Sequence, residues 1–268
     1  MEIKGKKVVV FGGSSGMGRA SAELLAARGA TVAVVDRSRE RSAEVAAKLG
    51  GSFHPADITD FAATERALDD AVDSLGGLHV AVTTAGGGIF KRIITPEGPH
   101  DLESFRRVLD LNTVATFNIN RLAATHMSRN EPDDPGVTAE RGVIINTSSI
   151  AAFEGQVGQT AYTAAKAAIA GMCLTMARDL GSHGIRVLAI APTLFDTPFM
   201  APAPEDVKAN AVQDAAFPRR LGRPLEYAKL VHAIVDNPML NGQCLRLDAG
   251  QRSRPEVDPA PRSGRRTP

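Results

Sequence analysis

The chain is expected to fold as a single doubly wound α/β domain, with a parallel sheet of about seven strands and helices on both faces. Three observations carry that expectation. Short runs rich in Val and Ile alternate with Ala- and Leu-rich stretches of helical period, and the connections between them are short. The first apolar run stops at a glycine-rich turn that opens a helix. The second stops at an acidic residue, Asp36.

Composition sets bounds on function before any motif is read. The formal net charge of +1 gives no reason to expect nucleic acid or a membrane as partner. No apolar run approaches the roughly 20 residues a membrane helix needs. Met1 to Lys7 lacks the apolar stretch of a signal peptide, and the run after it stops at Gly12, so a cytoplasmic setting is expected. Cys173 and Cys244 provide neither a disulfide framework nor zinc spacing, so they read as small buried side chains and no metal is expected.

In chain order, Val8 to Phe11 reads as a strand, ended by Gly12-Gly13-Ser14-Ser15-Gly16-Met17-Gly18, with a helix from Arg19 to Arg28 closing at Gly29. Strand, glycine turn and helix form the setting of a dinucleotide phosphate loop. The glycines let the backbone approach a pyrophosphate, whose charge meets the helix N-terminus. Thr31 to Val35 is a second strand. Asp36 follows the loop by about 20 residues, the distance at which a carboxylate accepts hydrogen bonds from the adenosine ribose. A carboxylate there repels a 2′-phosphate, although Arg37 and Arg39 could pair with one. With no basic residue in the glycine loop, NAD is expected over NADP.

Arg39 to Leu49 reads as a helix stopped by Gly50-Gly51, Ser52 to Ala56 as a strand leading to Asp57-Ile58, and Asp60 as the opening of a helix that runs to about Leu75. Val80 to Thr84 is a strand closed by Ala85-Gly86-Gly87-Gly88, glycines that let a flat cofactor pass close to the backbone. Ile89 to His100 reads as loop and Leu102 to Met127 as one long helix. Within it Asn112 is a poor helix former. It either faces solvent, or binds a water in the site through its side chain or a locally opened carbonyl. Arg129 to Gly142 is a polar, turn-rich insertion with no sign of chemistry.

Val143-Ile144-Ile145 reads as a buried strand, and the Ala-rich stretch after Gln159 as a helix. Ser148 and Ser149 therefore sit at the carboxyl end of a strand, where open α/β sheets bind ligands. Tyr162 and Lys166 are spaced to stack on one helix face. A free Tyr titrates at about 10, and a neighbouring ammonium favours the phenolate. A serine hydroxyl across from that phenol can hold a substrate oxygen. The same pair is also an ordinary surface pair in many helices; what sets it apart here is the loop and acidic residue upstream.

Arg186 to Ile190 is a further strand, ending in Ala191-Pro192-Thr193-Leu194-Phe195-Asp196-Thr197-Pro198, where Thr197 is placed to bond a carboxamide. Met200 to Arg220, Pro-rich and then weakly helical, reads as a flap over a substrate pocket. Pro224 to Asn237 is a helix and Gln243 to Leu247 a last strand. From residue 251 to 268 the Arg, Pro and Ser content predicts a disordered or surface tail, so the domain is bounded at residues 1–250.

Taken together these residues resemble the short-chain dehydrogenase/reductase family over nearly all of residues 6 to 250. The resemblance implies a catalytic Ser149, Tyr162 and Lys166 completed by Asn112. The spacing to Tyr162 selects Ser149 over Ser148. It also implies a glycine loop of Gly12, Gly16 and Gly18, an adenine site at Asp57 and Ile58, and Thr83-Thr84-Ala85-Gly86 where the family usually has Asn-Asn-Ala-Gly. The segments Asn130-Glu131-Pro132-Asp133, Ala151 to Gln159 and Leu240-Asn241-Gly242 are similar to the type II 3-hydroxyacyl-CoA dehydrogenase branch. That narrower resemblance implies NAD, a homotetramer, and short 3-hydroxyacyl-CoA or, less strictly, hydroxysteroid substrates. Ser15, Met17, Asp36, Thr84, Ala85, Pro192, Phe195 and Thr197 would line the cofactor, with Gln159 at the substrate entrance. Phe11 stands in place of a threonine and Thr193 in place of a glycine, the latter close to the nicotinamide and able to narrow the pocket. The expected reaction is interconversion of a secondary alcohol and a ketone, 3-hydroxyacyl-CoA to 3-oxoacyl-CoA. A hydroxysteroid or other alcohol dehydrogenase is the alternative, and a cofactor-binding scaffold the remote one.

Overall fold

The Val- and Ile-rich runs pair as one sheet because both of their faces are covered. In β1 (Lys7–Phe11) Val9 and Phe11 pack to one side and Val8 and Val10 to the other, all fully buried. Burial of each such side chain contributes about 1.5–3 kcal/mol. The remaining strands are β2 (Thr31–Asp36), β3 (Ser52–Pro55), β4 (Val80–Thr83), β5 (Gly142–Thr147), β6 (Ile185–Pro192) and β7 (Cys244–Leu247). Their order is β3-β2-β1-β4-β5-β6-β7 and every pairing is parallel. The order reverses beside β1, which puts the ligand crevice between the carboxyl ends of β1 and β4. The computed structural model describes residues 1–133, 139–198 and 200–252.

Helices α1 (Gly16–Ala27), α2 (Arg39–Leu49), α3 (Phe61–Leu75), α4 (Leu102–Leu109), α5 (Ala115–Met127), α6 (Thr160–Leu180), α7 (Glu205–Ala211) and α8 (Pro224–Asp236) fill the crossovers. α1 packs on α8 over one face of the sheet, and α3 on α5 over the other. Asp60 caps α3 by accepting a hydrogen bond from Ala63 N at 2.9 Å. No helix of the described residues is long and apolar enough to cross a membrane.

Four sequence expectations need correction. α1 begins at Gly16 rather than Arg19, because the glycine turn supplies the first turn of the helix. Leu102 to Met127 is not one α-helix: a π-helical turn, Asp110–Val114, separates α4 from α5 and carries Asn112 into the interior, fully buried rather than solvated. The expected loop from Ile89 to His100 contains a small hairpin pairing Ile94–Thr95 with Gly98–Pro99. Gln251, placed in the surface tail by its neighbours' composition, is only 6% exposed; residues 253–268 lie outside the described residues. So does the centre of the polar insertion, at 134–138.

The amino ends of the strands hold a buried ionic cluster. Arg186, at the start of β6, pairs with Glu140 (Nε to Oε1, 2.7 Å). It also donates to the carbonyls of Ile234, Val235, Asn237 and Leu240. The first two belong to the last turn of α8, whose carbonyls have no partner within the helix. The Met1 ammonium reaches the other Glu140 oxygen at 3.0 Å.

Candidate active site

A cleft of about 1330 Å³ opens at the carboxyl ends of the strands. Every residue assigned from the sequence to cofactor or substrate lines it: Gly12, Ser15, Gly16, Met17, Gly18, Asp36, Asp57, Ile58, Thr84, Ala85 and Gly86 on one side, Ser149, Gln159, Tyr162, Lys166, Pro192, Phe195 and Thr197 on the other. Asn112 alone stands behind the wall.

The glycine loop is as tight as its composition suggested. Gly12 has a φ of +79°, the left-handed region that favours glycine, and a Cβ on Gly18 would lie 2.2 Å from Gly12 O. Thr84 donates its hydroxyl to the carbonyls of Phe11 (3.1 Å) and Gly12 (3.2 Å), joining β4 to the loop. Phe11 is itself fully buried beneath it. Ser15, the N-cap of α1, makes no side-chain cap bond, and the first turn holds no acidic residue. The first turn of α1, Gly16 to Gly18, lines the cleft with its N–H groups uncapped by a side chain, an arrangement suited to an anion. Asp36 accepts from Ser14 N (3.3 Å) and Ser38 N (3.1 Å), which fixes its carboxylate at the end of β2. Asp57 holds Thr59 through its N–H and hydroxyl, bonds that lower its pKa, and Ile58 beside it is buried. Loop, acidic strand end and free helix N-terminus together fit a dinucleotide.

At the other end α6 brings Tyr162 and Lys166 against the end of β5. Ser148 donates to Lys166 O at 2.8 Å and Thr113, in the π-helical turn, to Ala165 O at 3.2 Å, so the helix is pinned from two sides. Ser148 and Ser149 both line the cleft, and the Ser148 hydroxyl is committed to the helix backbone. The Ser149 oxygen accepts from Ala151 N at 3.1 Å. Lys166 is buried; Thr147 O takes one of its three donors at 2.9 Å, and its Nζ lies 5.6 Å from the Tyr162 ring centre. A Cβ on Gly86 would meet Asn112 Oδ1 at 2.7 Å and Lys166 Nζ at 3.3 Å, which shows how closely these groups converge. Asn112 Nδ2 donates to Gly87 O and Val108 O, both at 2.8 Å, and its Oδ1 accepts from Gly87 N at 3.3 Å. Its side chain therefore braces the turn after β4.

Electrostatics depart from the sequence expectation that the ammonium makes the phenol acidic. Burial raises the Tyr162 pKa, offset in part by the Ser149 hydrogen bond, and burial pushes Lys166 down to about 8. Desolvation disfavours the charged form of each. The ammonium is engaged by Thr147 rather than by the phenol oxygen.

Several lining residues were missed. Phe90 packs edge-on against Tyr162, ring centres 5.6 Å apart, and Lys91 N bonds Gly158 O at 2.8 Å, so the Ile89–His100 segment closes over the tyrosine. An aromatic two residues after the glycine run was the available signal. Gln159 does not project freely: its Oε1 accepts from Gln156 N at 2.9 Å. The Phe195 ring turns away to stack edge-on against buried Tyr227. Thr193 lines the cleft, but its hydroxyl is not free there, because it is bonded to the side chain of Gln251.

Comparison with known proteins agrees with this geometry. The family model for short chain dehydrogenase matches residues 6–208. The chain is 47% identical over 257 residues to 3-hydroxyacyl-CoA dehydrogenase type-2 of Homo sapiens, covering 94% of this chain and 97% of that one. A crystal structure of 3-hydroxyacyl-CoA dehydrogenase type-2 from Mycobacterium avium superposes with a TM-score of 0.89 at 38% identity, over 94% of this chain and 98% of the other. A short chain dehydrogenase from Burkholderia cenocepacia in complex with NADP superposes with a TM-score of 0.79 at 30% identity, over 93% and 99% of the two chains.

Proposed function

The chain belongs to the short chain dehydrogenase family, an oxidoreductase that takes a nicotinamide cofactor and a small-molecule substrate, and from that premise we propose that it interconverts 3-hydroxyacyl-CoA and 3-oxoacyl-CoA with NAD. The observation that carries the reading is the convergence of Ser149, Tyr162 and Lys166 on the cleft whose opposite end holds Asp36.

Bound NAD would supply the hydride acceptor. The chain's own groups do the rest. Ser149 donates its hydroxyl to the substrate oxygen and stabilises charge that builds there. Tyr162 takes the hydroxyl proton in the oxidative direction and returns it in the reductive one. Lys166, cationic below about pH 8, opposes the cost of the buried phenolate. The Asn112 side chain is engaged with Gly87 and Val108, so a part in proton exit would fall to its main-chain carbonyl in the π-helical turn.

The choice of NAD rests on Asp36, held toward the loop by two backbone N–H groups, while Arg37 and Arg41 line the same end of the cleft. A rate matrix of NAD and NADP against a 3-hydroxyacyl-CoA, a hydroxysteroid and a sugar alcohol tests both choices. NAD with the thioester should give the largest kcat/KM, ahead of NADP by roughly 10- to 100-fold, about 1.4–2.8 kcal/mol. An equal or larger rate with NADP would remove the cofactor assignment, and a preference for steroid would remove the substrate.

A cytoplasmic homotetramer completes the proposal. Supporting it are Val114 and Phe117 around α5 and Leu174 on α6, large apolar side chains left exposed on long helices. Light scattering on the purified protein should give four times the subunit mass; a monomer would refute it.

A further inference from the structure

The flap forms one wall of the cleft through Met200, Asn210, Ala211 and Gln213. Its helix, α7, ends at Ala211 with carbonyls that find no partner inside the helix. One of them is taken from outside: Gln251 Nε2 donates to Ala211 O at 3.0 Å. The other end of the same amide, Oε1, accepts the Thr193 hydroxyl. A rotated amide would set its oxygen against the Ala211 carbonyl with no hydrogen between them, so only one orientation serves both partners.

Gln251 is held from the rest of the chain as well. Its N–H donates to Asp248 O at 2.9 Å, and its carbonyl accepts from Arg246 Nη2 at 3.0 Å. Arg246, on β7, in turn pairs with Glu154 at 2.7 Å, in the segment that follows Ser149, and with Asp248 at 2.6 Å. Two parts of the site therefore meet at one buried amide, the loop after β6 that carries Thr193 and Thr197 and the flap helix, while the Glu154 segment is tied through Arg246 to the main-chain carbonyl of the same residue. Thr193 occupies the position where the family resemblance has a glycine, which has no hydroxyl to offer.

We propose that Gln251 is a positioning residue that pins the flap helix to the loop after β6, and that the Thr193–Gln251–Ala211 connection sets the depth of the acyl pocket. The proposal rests on the 3-hydroxyacyl-CoA reading for its substrate. A pinned wall favours a short acyl chain; a released one loses affinity for short chains and admits longer ones. The amide touches neither reacting atom, so its loss should act on KM rather than kcat.

The test compares the full-length enzyme with Gln251→Leu, Thr193→Val and Thr193→Ser. Gln251→Leu should raise KM for acetoacetyl-CoA roughly tenfold, the effect of two lost hydrogen bonds, with kcat nearly unchanged. The ratio of ten-carbon to four-carbon kcat/KM should rise with it. Amide exchange of residues 205–211 should quicken by a similar factor, and NADH binding should hold. Thr193→Val should reproduce part of each effect and Thr193→Ser restore it; the valine variant also serves if Gln251→Leu fails to fold. Unchanged exchange in the flap helix, or a fall in kcat without a rise in KM, overturns the proposal. If the wild type oxidises some other alcohol and no acyl-CoA, the substrate reading fails alone, and exchange together with the KM split on that alcohol still decides the role of Gln251.

Discussion

Tyr162→Phe should lower kcat by roughly 10²- to 10⁴-fold, the range spanned by a positioned general acid–base group, while NADH binding stays intact. The substitution keeps the ring that packs against Phe90 and removes only the oxygen to which the proposal gives the proton transfer. Its pH behaviour is equally specific. Burial holds the phenol pKa above the free value, so the oxidative reaction, which needs the phenolate, should quicken as pH rises and the reductive reaction, which needs the phenol, should slow. Above about pH 8 Lys166 loses its charge and this aid to ionisation fades, so the oxidative climb should flatten there. Stopped-flow rates in both directions between pH 6 and about 10 check this, and the phenylalanine variant should show neither slope. A variant that keeps most of its rate would transfer the proton step to another group.

Arg186→Met should destabilise the fold by about 3–5 kcal/mol, the cost of removing one partner from a buried ion pair. Glu140 would be left in a buried site with only the Met1 ammonium beside it, and the Ile234 carbonyl in the last turn of α8 would lose its Arg186 donor. Methionine retains much of the stem volume, so the loss is one of charge and hydrogen bonds rather than packing. Guanidinium titration should show a lower midpoint at unchanged slope, and the melting temperature should fall on the order of 10 °C. A shift below about 1 kcal/mol would mean that the cluster is no better than an apolar replacement. Turnover at room temperature should be unaffected, because the cluster lies at the amino ends of the strands, opposite the cleft at their carboxyl ends.

Most of the architecture was legible because it depends on local pattern. Runs such as Val8 to Phe11 and Val143 to Ile145 are apolar without alternation, which identifies strands covered on both faces. Gly12 to Gly18 and Asp36 lie close in sequence to the elements that position them. What escaped the reading depends on contacts distant in sequence. The π-helical turn at Asp110–Val114 leaves no compositional trace; an amphipathic stretch looks the same with one residue more per turn. Asn112 read ambiguously because its partners, Gly87 and Val108, are supplied by the fold. Gln251 was lost among Arg and Pro neighbours, since one buried amide cannot outweigh the polarity of a window. The insertion that seemed without consequence contains Glu140, whose importance depends on Arg186, 46 residues further on. The direction of the Tyr162 pKa was hidden for a related reason: spacing shows that an amine is one turn away, but not how deeply the fold buries the phenol.

β6 runs from Ile185 to Pro192, eight residues or roughly 26 Å of extended chain. The ionic cluster sits at its entry and Thr193 at its exit, a separation well beyond the range over which substitutions usually interfere. On the proposal made for Gln251, robustness and selectivity are anchored at opposite poles of one strand. A programme to harden this enzyme against heat and another to widen its substrate range can proceed in parallel, and their gains should add.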